Sequence, residues 1–573
     1  MHKPVSNNAD RFVPKSVQAL KNYDLKKFVG DLIAGLTVGL VALPLAMAFA
    51  ISSGVLPQAG IYCAVIAGFI ISALGGSMTQ IGGPTGAFVV VVAGIVQKHG
   101  MDGLFMCTMI AGVFLVILGA TGLGTAVKYI PRPVVIGFTN GIAVLIASTQ
   151  IKDFFGLTIE KVPSEFPARM AAIAGHWSTL SPTATMVSVS ALVLIILMMR
   201  FVKRVPGSIV ALFLGTAIVW GFALPIETIA TRFGGIPSGL PAFQLPTFRP
   251  DLILPLLAPA LTVTMLGAIE SLLSAVVADR MTGDKHNPNM ELVAQGVANM
   301  ASPLFGGLPA TGAIARTATN IRSGAKTPVA GMIHALTLLL ILLVAAPLAQ
   351  HIPLSVLAAI LFVVAYNMGE WVEIPQILRL SKADIAVWLI TFALTVFADL
   401  TVAVQAGMIL AALLYIGKVT ATTTVARVTQ EYIEASRAHS LQGHSIPDGV
   451  AIFRIHGPFL FGATDKISVI EDELEALPPV VVLRLRNMTA IDATGLSALE
   501  NLAARLKKSG RHLILCGMRD QPARLMSQAK FHDHIGDENI VESLEAGLIR
   551  AQAVLSDLNP AKNRNPNSGV PEL

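Results

Sequence analysis

A chain of 573 residues with 54% hydrophobic and only 13% charged side chains, and a mean hydropathy of +0.68, lies far from the roughly 25% charged content of a soluble domain. That composition excludes a soluble enzyme for the chain as a whole. The net charge of +6 suits Lys and Arg gathered on one membrane face rather than a nucleic-acid surface. The three cysteines, Cys63, Cys107 and Cys516, have no metal or redox spacing and read as buried structural thiols. No metal or other cofactor is expected.

In chain order, residues 1–30 form a polar, basic tail carrying Arg11, Lys15, Lys21, Lys26 and Lys27. It is expected to stay cytoplasmic, and no cleavable signal peptide is visible. Residues 32–51 make a first span bent at Pro44, and residues 52–62 a short turn free of Lys and Arg. A second span at 64–74 leads to an interrupted stretch, G-G-P-T-G-A at 82–87. Spans at 104–121, 134–151, 186–199 and 206–224 complete a first half. Lys128 and Arg132, then Arg200, Lys203 and Arg204, mark the inner face.

The Gly/Pro-rich loop at 233–250 joins a second half. Spans at 254–277 and 292–304 precede a second interrupted stretch at 306–320, and runs at 329–348, 354–366, 385–396 and 400–416 follow. The count comes to about fourteen crossings over residues 31–418, with both termini on the cytoplasmic side. Residues 419–449 read as a polar connector. Residues 450–558 read as a small α/β domain, with strands in A-I-F-R-I-H, V-V-V-L-R-L-R and H-L-I-L-C-G. Helical spacing recurs there at 465–476, 498–508 and 541–555. The polar, Pro/Asn-rich residues 559–573 are expected to be disordered.

The two interrupted stretches organise the rest. The second reads G-G-L-P-A-T-G-A-I-A-R-T-A-T-N, and its Gly and Pro forbid continuous helix across its first residues. Non-helical backbone at membrane depth survives only where protein or a polar cavity satisfies it. From Thr311 onward the pattern turns helical, so a helix is expected to begin in mid-membrane with its free N–H groups facing a cavity. Paired interruptions in two halves point to the binding site of a secondary transporter, and two helix N-termini favour an anion.

The substrate residues expected are therefore Thr85, Gly86, Ala87, Thr311, Gly312 and Ala313, with backbone N–H groups, two hydroxyls and glycines that admit close approach. Helix packing by small residues is the alternative. Arg316, about one turn into the second helix, adds positive potential. It could instead anchor the inner face or pair with Glu270. Glu270, a carboxylate in the middle of a span, should face the bundle interior and bind the coupling proton, or sodium. Its alternative is a structural acid held by Thr264 and Ser274. Asn140, Asn299, Asn320 and His334 read as interhelical hydrogen-bonding residues. No P-loop, HExxH or G-x-S-x-G motif supports nucleotide-driven pumping or hydrolysis.

Four separated motifs resemble the SulP family of anion permeases: D-L-I-A-G-L-T-V-G-L at 31–40, P-Q-A-G-I-Y at 57–62, G-G-P-T-G-A at 82–87 and T-V-F-A-D-L-T-V-A-V-Q-A-G at 395–407. The C-terminal domain resembles a STAS domain, with I-D-A-T-G-L at 491–496 as its signature loop. The resemblance implies two inverted seven-segment repeats, a core domain moving against a gate domain, and a homodimer in the bilayer. Sulfate-carrying relatives often place Gln where this chain has Leu45, as the dicarboxylate- and bicarbonate-carrying subgroup does not. Glu270 together with Arg316 resembles proton-coupled members. Sulfate is the first expectation, with a C4-dicarboxylate or bicarbonate, or a channel of the same fold, as alternatives. Thr494 stands at the phospho-acceptor position of related switch proteins, with Asp492 before it. Thr494 could equally cap the following helix.

Overall fold

The computed structural model describes residues 12–558 except 22, 125–130, 161, 203–205, 238, 399 and 429–445. Arg11, Lys128, Lys203, Arg204, most of the expected connector and the tail at 559–573 lie outside the described residues. The chain divides into two compact units, Met1–Ala411 and Ala412–Leu573.

The first unit is helical. Its main helices are α1 (Leu25–Ser52), α2 (Pro57–Leu74), α3 (Gly86–Ala120), α4 (Arg132–Phe155), α5 (Pro182–Phe201) and α6 (Gly207–Gly221). They continue with α7 (Ile253–Thr282), α8 (Pro288–Ala301), α9 (Ile314–Arg322), α10 (Val329–Ala349), α11 (Leu354–Met368), α12 (Lys382–Phe397) and α13 (Leu400–Thr422), the last crossing into the second unit. Among the described residues nine helices are long and apolar enough to cross a membrane. α6, α8, α9 and α12 fall short of that length, and α3 joins two helices across Gly100, where φ is 70°. The polar tail is not featureless: Lys15–Leu20 is helical, and α1 starts at Leu25, before the expected span.

Small residues set the helix packing. α3 crosses α8 at Gly112 and Gly296. A Cβ on either would fall 2.7 Å or less from the other's carbonyl oxygen. Gly60 brings α2 against the Ala46 carbonyl of α1 in the same way. Close backbone approach is how apolar helices gain packing contacts in lipid. α1 packs on α10 and α2, and α3 on α7 and α8, while α4 packs on α11 and α12 and α5 on α6 and α11.

Two very short strands join the broken stretches. β1 (Gly82–Gly83) runs antiparallel to β2 (Thr311–Gly312), with Gly82 opposite Gly312 and Gly83 opposite Thr311. The strand pair satisfies backbone that no helix could satisfy at that depth.

The second unit is an α/β domain with strand order β3-β4-β5-β6-β7. β3 (Thr424–Arg427) runs antiparallel to β4 (Val450–Phe459); β5 (Val480–Ile491), β6 (His512–Cys516) and β7 (Ile540–Val541) follow in parallel. α14 (Ala493–Lys508), α15 (Asp520–Gln528) and α16 (Leu544–Leu558) accompany them. β3 falls within the expected connector. The expected helix at 465–476 is broken into 3-10 turns at Phe461–Ile467 and Leu474–Ala476 around a short helix, Ser468–Glu471. Cys516 lies in the sheet core, and burial pushes its thiol up to about 11, so it is inert rather than reactive.

Candidate functional site

α3 and α9 both begin at the strand crossing, which sets their N-termini on one buried centre. Thr85 is the N-cap residue of α3, yet its hydroxyl makes no cap hydrogen bond. It donates instead to Glu270 Oε2 at 3.1 Å. Ala313 is the N-cap of α9 and has no side chain able to cap. Both helices therefore keep first-turn N–H groups that no capping oxygen satisfies, at Gly86 and Ala87 and at Ile314 and Ala315. Their aligned peptide dipoles add positive potential to the same centre.

α9 starts three residues later than the sequence suggested, because Thr311 and Gly312 are taken into strand pairing. Arg316 consequently lies in the first turn, rather than one turn in. It is 3% exposed, and its Nη2 donates to the Pro84 carbonyl, tying the second broken stretch to the first. Its Nη1 is buried with no hydrogen-bond partner. A Cβ on Gly83 would sit 2.9 Å from that nitrogen, so glycine there leaves the guanidinium room. Among the described residues Arg316 forms no ion pair with Glu270. An unpaired buried guanidinium between two uncapped helix ends is an electrostatic demand for an anion.

The second threonine behaves differently from the first. Thr311 Oγ1 donates to the Gly267 carbonyl of α7 at 2.8 Å and is fully buried. Both threonine hydroxyls are thus bonded to protein acceptors, one to a carboxylate and the other to a backbone carbonyl. Gly312 is required for another reason: the Gln80 amide nitrogen occupies the space a Cβ would need. Thr264 and Ser274 do not hold Glu270. Thr264 donates to Ala260, and Ser274 shares a hydrogen bond with Thr317 at 3.0 Å.

Glu270 is half-buried and is not the sole acid inside the helical unit. Glu291 of α8 is fully buried, accepting from the Gly76 N–H at 2.9 Å, Ser271 Oγ at 3.1 Å and Gln295 Nε2 at 2.9 Å. Gln80 in turn donates to Ser271. This network fixes the approach to β1 beside Glu270. Sequence inspection missed it because Glu291 stands just before an apolar run; its signal was Gln295, four residues on and one turn along the same face. Asp31 is a second overlooked hub, accepting from Lys326 N at 2.7 Å, Thr327 N at 3.1 Å and Tyr23 OH at 3.1 Å. Burial and this carboxylate push the Tyr23 phenol up to about 12.

Among the polar residues in apolar surroundings, Asn299 clamps Ala310 reciprocally, with two 2.8 Å hydrogen bonds. Asn320 donates to the Thr79 carbonyl at 2.8 Å. Asn140 bonds the Gly369 carbonyl and accepts from Trp388 Nε1 at 2.9 Å. His334 departs from its expected role: both ring nitrogens are buried without a partner. In the second unit Asp492, not Thr494, is the N-cap of α14. It accepts from Gly495 N at 2.8 Å and Phe461 N at 3.0 Å, leaving Thr494 exposed in the first turn.

A multi-spanning helical body with two broken helices meeting end to end defines a membrane anion transporter rather than an enzyme. The sequence profile of the sulfate permease family matches residues 28–391, and that of the STAS domain residues 445–547. The chain belongs to the sulfate permease family and carries a STAS domain. It is 42% identical to a Bacillus subtilis protein named "Putative sulfate transporter YvdB", over 91% of this chain and 97% of that one. It is 30% identical to the bicarbonate transporter BicA of a Picosynechococcus species, over 93% and 96%. The solved transmembrane domain of a cyanobacterial BicA matches with a TM-score of 0.61 at 36% identity, covering 67% of this chain and 98% of that chain. The structure of SLC26A9 matches with a TM-score of 0.84 over 96% and 94%, at 18% identity, which speaks for the fold alone.

Proposed function

We propose that the protein is a proton-coupled secondary transporter that carries a small divalent oxyanion, sulfate first, across a bacterial inner membrane. The observation that carries this proposal is the unpartnered Nη1 of buried Arg316 between two uncapped helix N-termini. A fixed guanidinium beside two dipole ends gains more from a doubly charged ligand than from a singly charged one. Thr85, Gly86 and Ala87 on one side, and Thr311, Gly312, Ala313 and Arg316 on the other, are the proposed substrate residues. Glu270 is the proposed proton carrier, and Thr85 its link to the substrate. The relative named as a sulfate transporter supports the same substrate.

A bicarbonate carrier is the second proposal, favoured by the 36% identity to the BicA membrane domain and by Leu45. Transport in either case would proceed by α1–α3 and α7–α10, as a core, moving against α4–α6 and α11–α13, as a gate, within two inverted seven-segment repeats. A homodimer with cytoplasmic termini and a regulatory or assembling STAS domain, with Thr494 exposed to partners beside the Asp492 cap, completes the proposal. Removing the chain beyond Thr422 is expected to lower rate or dimer stability without changing the order of competing anions.

The test is uptake by purified protein in liposomes, with labelled sulfate, bicarbonate and succinate under imposed proton or sodium gradients. Saturable sulfate accumulation driven by an inward proton gradient is the expected result. Bicarbonate uptake driven by sodium, without sulfate uptake, would select the second proposal, and no accumulation of any of the three would reject both.

A further inference from the structure

A cavity of ≈ 420 Å³ opens where the C-terminus of α4 meets the N-termini of α5 and α11, at the far end of α4 from Arg132. Gly156, in the left-handed conformation with φ of 62°, ends α4 there. A Cβ on it would fall 2.7 Å from Ala184 and 2.8 Å from Ser181, so glycine lets α4 stop directly against the start of α5. A single bridge between Thr228 and Pro353 holds the loop after α6 to the start of α11. The short helix Ile229–Phe233, fixed by a capping box at Thr228, then carries Arg232 into the same wall.

The charges that line the cavity do not balance. Lys152 and Arg232 face the three carboxylates of Asp153, Glu160 and Glu227. Arg232 is already held by Asp153 at 2.8 Å and by Glu227. Half-buried Lys152 donates to the neutral Ile159 carbonyl at 2.6 Å and, among the described residues, forms no ion pair. α11 begins beside it behind Pro353, which has no capping side chain, and the Leu354 N–H is taken by the Glu227 carbonyl at 3.0 Å. Ser355 follows, 1% exposed, and its hydroxyl is buried with no hydrogen-bond partner. A lysine without a counter-charge, a positive helix end and an unsatisfied hydroxyl together favour an anionic group at the depth of the cavity. Glu160 and Glu227 are exposed at the rim, where they oppose a ligand that is only an anion and favour one that brings its own cation. No aromatic ring lines the cavity among the described residues. Quaternary ammonium groups are read by aromatic faces, and primary ammonium groups by carboxylates that accept their N–H donors.

We infer that this cavity is a binding site for a phosphoethanolamine group, its phosphate held by Lys152 and Ser355 and its ammonium by Glu160 and Glu227. Such a group is offered by an ethanolamine phospholipid or by the free compound. Exposed tryptophans flank the site: Trp177 packs on Phe155 beside Gly156, and Trp220 stands five residues before Pro225 of the wall. Tryptophan gathers at the headgroup level of a bilayer, which places the cavity at that level too. A bound group would tie α4, α5, α11 and the loop after α6 together at one end. The site is independent of which anion the protein carries.

Native mass spectrometry of the full chain in detergent, supplied with equal amounts of dioleoyl phosphatidylethanolamine, phosphatidylcholine and phosphatidylglycerol, tests the lipid source. The melting temperature of the same preparation with soluble phosphoethanolamine, against phosphocholine, tests the free one. Several-fold preferential retention of the ethanolamine lipid is the expected result. A rise in melting temperature with phosphoethanolamine alone, without lipid preference, would assign the site to the free compound. In either case Glu160→Gln, a change at the exposed rim, is expected to bring the ethanolamine and choline forms to near parity, and Ser355→Ala to weaken binding several-fold. Should Ser355→Ala not fold, Glu160→Gln decides alone. Equal retention of the three lipids together with no response to soluble phosphoethanolamine, a preference for either of the other lipids, or an ethanolamine preference unchanged in Glu160→Gln would overturn the site.

Discussion

The two broken helices begin at the same strand crossing but carry different chemistry. The first, α3, is long and apolar, and its N-cap Thr85 is bonded to Glu270 at the cost of capping its own helix. The second, α9, is short and polar and places Arg316 in its first turn, with Thr311 bonded to the α7 backbone. The pair is therefore alike in backbone and unlike in side chains. On the proposed reading the first end would respond to the protonation of Glu270, and the second would supply the charge.

The sharpest break in that division is Gly312→Asp. It drives a carboxylate into the Gln80 amide and against the anion, and saturable uptake should vanish. Glu270→Gln comes next. Gln keeps shape and hydrogen bonding but does not titrate at working pH, so acceleration by an inward proton gradient should be lost while anion binding survives. Unchanged gradient dependence would place the proton elsewhere. Thr85→Val should resemble a weak version of Glu270→Gln, because it removes the hydroxyl that reads the acid. A several-fold flatter pH response in flux assays is expected. Thr311→Val should leave the pH response untouched and lower stability by about 1 kcal/mol, the usual worth of one hydrogen bond, seen as a small fall in melting temperature. Equal effects of the two valines on pH dependence would erase the distinction.

Much of this was legible in the chain. Gly and Pro within apolar surroundings located both broken stretches, since nothing else lets backbone leave the helix at that depth. What the chain did not reveal was where α9 begins. Thr311 and Gly312 are drawn into β2 by a partner strand more than two hundred residues earlier, a long-range effect that no local pattern carries. The threonines looked equivalent by motif, and only the positions of Glu270 and the Gly267 carbonyl separate them. Glu291 was hidden at the edge of an apolar run whose burial depends on Gly76 and Ser271 arriving from other elements. In the second unit a helical pattern at 465–476 was broken into short turns. There the Phe461 N–H is held by Asp492, and Lys466 donates to the Thr420 and Thr423 carbonyls. Thr494 likewise looked like a cap until the Asp492 carboxylate took that place.

The most direct test of the site is anion binding to the purified protein in detergent, comparing the parent with Arg316→Ala for sulfate and for bicarbonate. Loss of a hydrogen bond to a charged ligand costs about 1.5–3 kcal/mol, or roughly ten- to a hundredfold in affinity. Sulfate affinity is expected to fall by that factor and bicarbonate affinity by clearly less. Equal, small losses for both anions would make Arg316 only the tie between α9 and Pro84, and would contradict its place in the site.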